Sequence, residues 1–82
     1  MPRKVDAKGL LEYLVKSLVK NPDQVSITQI EKEGALILEL KVSSEDRGRV
    51  IGKQGKTIKA MRKLLSAACS GSDRRVALEL VE

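Results

Sequence analysis

Histidine is absent from the 82 residues, Cys69 is the single cysteine, and Tyr13 is the single aromatic side chain. Without histidine the chain lacks the side chain that most readily exchanges protons near neutral pH, and the Ser/His/Asp and Cys/His nucleophile pairs are excluded with it. One cysteine excludes an internal disulfide, and with no histidine beside it there is no His/Cys zinc site within one chain. No catalytic residue, metal ligand or cofactor is therefore expected. A chain of this length is one small domain, which rules out a two-domain nucleotide-binding enzyme, and no small-molecule substrate is expected. No apolar run approaches the roughly 18 residues of a membrane span. The opening residues Met1-Pro2-Arg3-Lys4-Val5-Asp6 lack a signal-peptide core, so a cytoplasmic location with no membrane partner is expected. The near absence of aromatics also excludes an RNP-type sheet and argues against an OB-fold that stacks bases.

What the chain does have is charge, and the charge is local. Sixteen basic against eleven acidic residues give +5. Arg47, Arg49, Lys53, Lys56, Lys59, Arg62 and Lys63 fall in one window that contains no acidic residue, and the remainder of the chain carries a net −2. A concentrated basic stretch is the footprint of a polyanion-binding surface, although a solvated basic helix face has the same composition.

Apolar periodicity orders the rest. Leu10, Leu11, Leu14, Val15, Leu18 and Val19 recur at three- and four-residue spacing and predict an amphipathic helix over about 7–20, stopped by Asn21-Pro22. The β-branched run Val25–Ile30 predicts a strand that ends at a Glu33-Gly34 turn, and the Ala35–Val42 run places Leu36, Leu38, Leu40 and Val42 on one face of a second strand. Ala35 and Ile37 on its other face suggest a central position, and the short link suggests a hairpin. Ser43-Ser44-Glu45-Asp46 resembles a helix N-terminus with Ser43 as cap and Asp46 at the reciprocal position, opening a short helix to about Ile51. A longer helix over about 56–70 buries Ile58, Met61, Leu65 and Ala68 and shows Lys56, Lys59 and Lys63 on the other side. Gly71-Ser72-Asp73 closes it, and Arg75–Val81 alternates as a last strand with Val76, Leu78 and Leu80 on one face. The expected fold is α+β, ordered α-β-β-α-α-β, with a three-stranded mixed sheet and three helices on one face. It is a single domain over 1–82, with a core over about 25–82 and the N-terminal helix over about 7–20. Cys69 is expected to be a small buried apolar residue.

The chemistry concentrates between the two later helices. Gly52-Lys53-Gln54-Gly55 sets two glycines three apart, so that the backbone can turn sharply and a sugar-phosphate chain can approach without meeting a Cβ. Amides at the start of the following helix have no intrahelical partners and can bond phosphate oxygens at the positive end of the helix dipole. An ordinary helix-turn-helix link is the plainer account of the same glycines. A nucleotide-binding phosphate loop does not fit: Gly55-Lys56-Thr57 supplies its last three residues, but Val50 stands where that motif needs glycine.

The longer run Val50-Ile51-Gly52-Lys53-Gln54-Gly55-Lys56-Thr57-Ile58-Lys59 resembles the signature of the KH RNA-binding domain: an aliphatic pair, G-x-x-G, then x-x-I-K. The element order is similar to the type II arrangement, in which the extra helix and strand precede the core. The resemblance covers essentially the whole chain, whose length and layout are similar to the KhpA family of small bacterial RNA-binding proteins. It implies a groove for single-stranded RNA, walled by the two helices and the sheet edge. Gly52, Lys53, Gln54 and Gly55 would hold the backbone, while Arg49, Val50, Ile51, Lys56 and Lys59 would line the groove or support it, with Ile58 a core residue. It further implies a heterodimer with a larger KH/R3H protein of the KhpB type, a role as RNA chaperone in post-transcriptional control, and a link to cell-wall homeostasis and cell length. A homodimer is left open, with Met61, Leu64 and the edge strand as candidate surfaces. The alternative function is a KH-fold interaction or dimerisation module without RNA binding of its own.

Overall fold

The computed structural model describes residues 6–69 and 75–81. Helix α1 spans Ala7–Leu18, and the Asp6 carboxylate caps it by accepting from the Gly9 amide at 3.0 Å. Ala7, Leu11 and Val15, one turn apart, form its buried stripe. The helix ends two residues before the expected Lys20. Its last bond is Val19 N–H to Val15 O, and Val19 is already extended at φ −94°, ψ 157°. A 3-10 turn over Pro22–Gln24 follows, with Val25 N–H donating to Pro22 O. That bond holds Val25 in the turn, so strand β1 begins one residue later than expected and spans Ser26–Lys32.

Strand β2, Ala35–Lys41, pairs antiparallel with β1 from Ser26↔Lys41 to Lys32↔Ala35, and this ladder carries β1 past Ile30 to Lys32. Helices α2 (Arg47–Ile51) and α3 (Lys56–Ala68) then cross back to β3, Arg75–Leu80, which lies parallel to β2 from Ala35↔Arg75 to Leu40↔Leu80. Val81 lies outside the strand, yet its N–H still bonds Leu40 O at 2.8 Å. The sheet order β1-β2-β3 makes β2 central, as the apolar residues on both of its faces require. The expected helix end at Ser70 and the Gly71-Ser72-Asp73 turn lie outside the described residues.

One core joins these elements. Leu36, Leu38 and Leu40 of β2, with Val42, meet Leu78 of β3, the α1 stripe, Val50 of α2, and Ile58, Met61 and Leu65 of α3. All three helices thus bury their apolar faces against the same side of the sheet, in the α+β arrangement expected. Leu11, Leu38 and Leu40 have no exposed surface, and truncating any one to alanine costs about 2–5 kcal/mol. Cys69 is partly buried against this cluster.

Candidate nucleic-acid interface

The connection between α2 and α3 is a chain of unusual backbone states. Gly52 sits at φ 77°, ψ 172°, Gln54 at φ 57°, and Gly55 at φ 75°, ψ 12°. The loop folds as a 3-10 turn over Lys53–Gly55, closed by Gly55 N–H to Gly52 O at 3.1 Å. The two glycines answer different demands. A Cβ on Gly52 would lie 2.6 Å from Thr57 Cβ and 2.7 Å from the Thr57 backbone nitrogen, so the loop packs directly onto the first turn of α3. A Cβ on Gly55 would meet only Lys59 Cε, at 3.9 Å. Of the two close approaches expected, Gly52 therefore accommodates the protein's own helix, and only Gly55 opens toward an incoming chain.

Around that opening the groups are basic. Lys53 and Gln54 are exposed at the loop's tip, and Lys56 and Lys59 are exposed on the first turn of α3. Lys59 lies one turn beyond Gly55, and the contact to its Cε shows its aliphatic stem folded toward the loop. The N-cap of α3 is Gly55, with no side chain bonded to the first-turn amides. Those donors and the positive end of a 13-residue helix dipole meet the lysines at one place, which suits an anion such as a phosphate.

The residues before the loop divide. Arg49 and Ile51 are exposed, and Arg49 Nε stands 4.0 Å from Asp46 Oδ1. Val50 has no exposed surface and belongs to the core, because a short helix lying on a sheet must turn its one central apolar side chain inward. Of the two places left open for it, lining the groove or supporting it, this burial fits support. Ile58 is buried as expected.

Two contributions were not readable from the pattern. Asp46, expected as the reciprocal member of a capping box, instead directs its fully buried carboxylate across the molecule. It accepts from Lys20 N–H, Asn21 N–H, Asn21 Nδ2 and Ser43 Oγ, each at 3.0 Å. Burial pushes this carboxyl's pKa up, but the bonds from Lys20, Asn21 and Ser43 outweigh burial and hold it at about 2. Only the Ser43 half of the box forms, with Ser43 Oγ accepting from Asp46 N–H at 3.3 Å. The latch ties the end of α1 to the start of α2 and so fixes where the loop emerges. The second contribution is Arg62, whose Nε donates to Leu78 O at 3.2 Å and thereby joins α3 to the outer edge of β3. The acidic pair Glu45-Asp46 just before the basic window was the available hint of Asp46; nothing in the spacing singles out Arg62 among seven basic residues.

Comparison with known proteins bears on this geometry. A family model described as the KhpA/KhpB KH domain matches residues 8–80. The RNA-binding protein KhpA of Clostridium acetobutylicum is 47% identical over 74 residues, covering 90% of this chain and 99% of that protein. Its namesake in Treponema pallidum is 45% identical over 73 residues, 89% of this chain and 91% of the relative. The one in Chlamydia pneumoniae is 43% identical over 75 residues, 92% and 96% respectively. Among solved structures, Aquifex aeolicus Era bound to GDP and AlF4− superposes with a TM-score of 0.63 at 21% identity, covering 98% of this chain and 31% of Era. Era in complex with MgGDPNP and nucleotides 1506–1542 of 16S ribosomal RNA gives the same score and identity, covering 98% and 30%. At that identity the likeness to Era is one of fold.

Proposed function

The chain belongs to the KhpA/KhpB KH-domain family, and from that membership we propose that it binds single-stranded RNA and catalyses no reaction. The observation that carries this reading is the opening at Gly55, where an unhindered backbone, uncapped helix amides and the flanking Lys53, Lys56 and Lys59 converge. A phosphate seated there receives amide hydrogen bonds and lysine charge together, and neither depends on the base attached. Gly52 holds the loop against α3, and Arg49 and Ile51 extend the surface on the α2 side. With Tyr13 on α1 as the lone aromatic, affinity comes from the backbone and from aliphatic contact rather than from stacking.

One groove of about four nucleotides discriminates little, so a second RNA-binding module on a bound partner raises affinity through effective concentration. A KhpB-type KH/R3H protein is that partner in this reading. The relatives' shared designation as RNA-binding proteins supports RNA as the ligand. The finer assignment is an RNA chaperone of the cytoplasm, acting in post-transcriptional control of cell-wall homeostasis and cell length. No helix among the described residues is long and apolar enough to cross a membrane.

The test is the binding of a labelled random single-stranded RNA pool, followed by fluorescence anisotropy across a salt series. Engagement of about three or four phosphates gives log affinity a slope of roughly −2 to −3 against log salt, at about −0.7 per contact. A slope near zero would favour the interaction-module alternative.

A further inference from the structure

The opening at Gly55 continues along α3 to the edge of the sheet. Lys59 and Arg62 stand four and seven residues beyond Gly55, spacings that put all three on one face of the helix. The 3.9 Å approach of Lys59 Cε to a Cβ built on Gly55 follows this line. At 1.5 Å per residue, Arg62 lies about 10 Å farther down the axis than Gly55. There the helix meets the outer edge of β3. Arg75 N–H bonds Gly34 O and Val81 N–H bonds Leu40 O, so the odd-numbered residues of β3 turn their backbone groups toward β2. Backbone groups alternate along a strand, and those of Val76, Leu78 and Leu80 therefore point away from β2. The outward Leu78 carbonyl accepts from Arg62 Nε at 3.2 Å. Among the described residues this is the one hydrogen bond of the Arg62 side chain, which forms no ion pair.

That bond fixes what Arg62 can offer. Arginine carries five N–H donors in a planar fork and no acceptor. With Nε–H engaged on the strand, the two terminal amino groups remain, carried by an exposed side chain. Anchoring Nε also holds the plane of the guanidinium, so less ordering is left for binding. Leu78 O, the neighbouring acceptor, is taken up by the same bond, and the place offers donors alone. A flat fork of donors matches a base edge with two adjacent acceptors. Guanine has such an edge in O6 and N7, and unpaired RNA leaves it open. On the same edge adenine and cytosine present an amino donor, and uracil has the single acceptor O4. We propose that Arg62 is a specificity-determining residue that selects guanine where α3 meets the β3 edge. The inference rests on the reading of this chain as an RNA-binding protein and adds base selection to it, since phosphate contacts at Gly55 carry no sequence information.

Four single-stranded RNA octamers test it by fluorescence anisotropy at one salt concentration: octauridine, and the same octamer with one central guanine, adenine or cytosine. The native chain binds the guanine octamer about tenfold more tightly than the other three, as one bidentate arginine contact provides. Arg62→Lys keeps the positive charge and lacks the fork. It binds octauridine as the native chain does, while its preference for guanine falls below about twofold. A native chain that binds all four alike or favours another base overturns the proposal. A lysine variant that keeps the guanine preference overturns it too, because Arg62 then meets phosphate or nothing. Should Arg62→Lys not fold, the Arg62 Nε–H resonance of the native chain serves instead. At equal saturation it shifts more with the guanine octamer than with octauridine, and equal shifts overturn the assignment. Failure of all four octamers to bind overturns the RNA-binding reading and this inference with it, whereas equal binding of all four overturns the guanine assignment alone.

Discussion

Replacing Gly52 by alanine loads the loop at its tightest point. At φ 77°, ψ 172° the backbone occupies a region that is essentially reserved for glycine, and a side chain there costs about 1–3 kcal/mol. The new methyl would also lie 2.6 Å from Thr57 Cβ and 2.7 Å from the Thr57 backbone nitrogen, and neither atom is the loose end of a flexible chain. Overpacking of that kind adds about 1–3 kcal/mol, so the substitution removes about 2–6 kcal/mol from a domain whose total stability is of order 5–15 kcal/mol. For a chain of this size each kcal/mol is about 4–8 °C of melting temperature, so Gly52→Ala melts at least about 8 °C below the parent. Gly55→Ala is the internal control. Its φ of 75°, ψ of 12° is ordinary left-handed geometry costing about 1–2 kcal/mol, and its methyl meets nothing closer than Lys59 Cε at 3.9 Å. Thermal unfolding by circular dichroism compares the two. A Gly52→Ala protein melting within a few degrees of the parent, or above Gly55→Ala, would refute the packing of the loop onto α3.

Asp46→Asn keeps the shape of the latch but removes the charge that four donors converge on, and the melting temperature at neutral pH falls. The native carboxyl lies below its ordinary 3.8, at about 2, so its contribution is complete above pH 4 and is lost as pH drops through that interval. The asparagine variant's acid unfolding curve is correspondingly flatter there, and an unchanged curve counts against the latch. Tyr13 is 73% exposed on α1, so Tyr13→Leu leaves RNA affinity close to the parent's, whereas a true stacking residue costs about 1–3 kcal/mol; a tenfold loss would relocate the binding surface.

The elements that the sequence states plainly are those whose cause is local. Leu36, Leu38 and Leu40 alternate because one face of β2 is covered, and Ala35 and Ile37 betray its central position; both signals are visible in eight consecutive residues. The G-x-x-G loop is equally legible, since no other residue tolerates the backbone at Gly52. What was hidden is what depends on distant partners. Periodicity carries α1 to Lys20, but the Lys20 and Asn21 amides bond a carboxylate more than 20 residues away, and that bond ends the helix at Leu18. The same long-range contact draws Asp46 out of the capping box that its spacing from Ser43 suggests. Val50 illustrates a different loss. In the KH-like signature it stands beside the loop, where lining the groove and supporting it are equally open, and only the packing of a five-residue helix on the sheet shows that its side chain faces inward.

The central claim is that RNA is held at the Lys53-Gln54 tip, and the affinity of Lys53→Asp/Gln54→Asp for single-stranded RNA tests it most directly. Both side chains are exposed and both glycines remain, so the fold is retained and the circular dichroism spectrum is that of the parent. The substitutions reverse the lysine's charge and add a second carboxylate where phosphates would lie, and like charges in contact repel strongly enough to lower affinity by more than about tenfold. An RNA affinity equal to the parent's, in a protein with the parent's spectrum, would contradict the account.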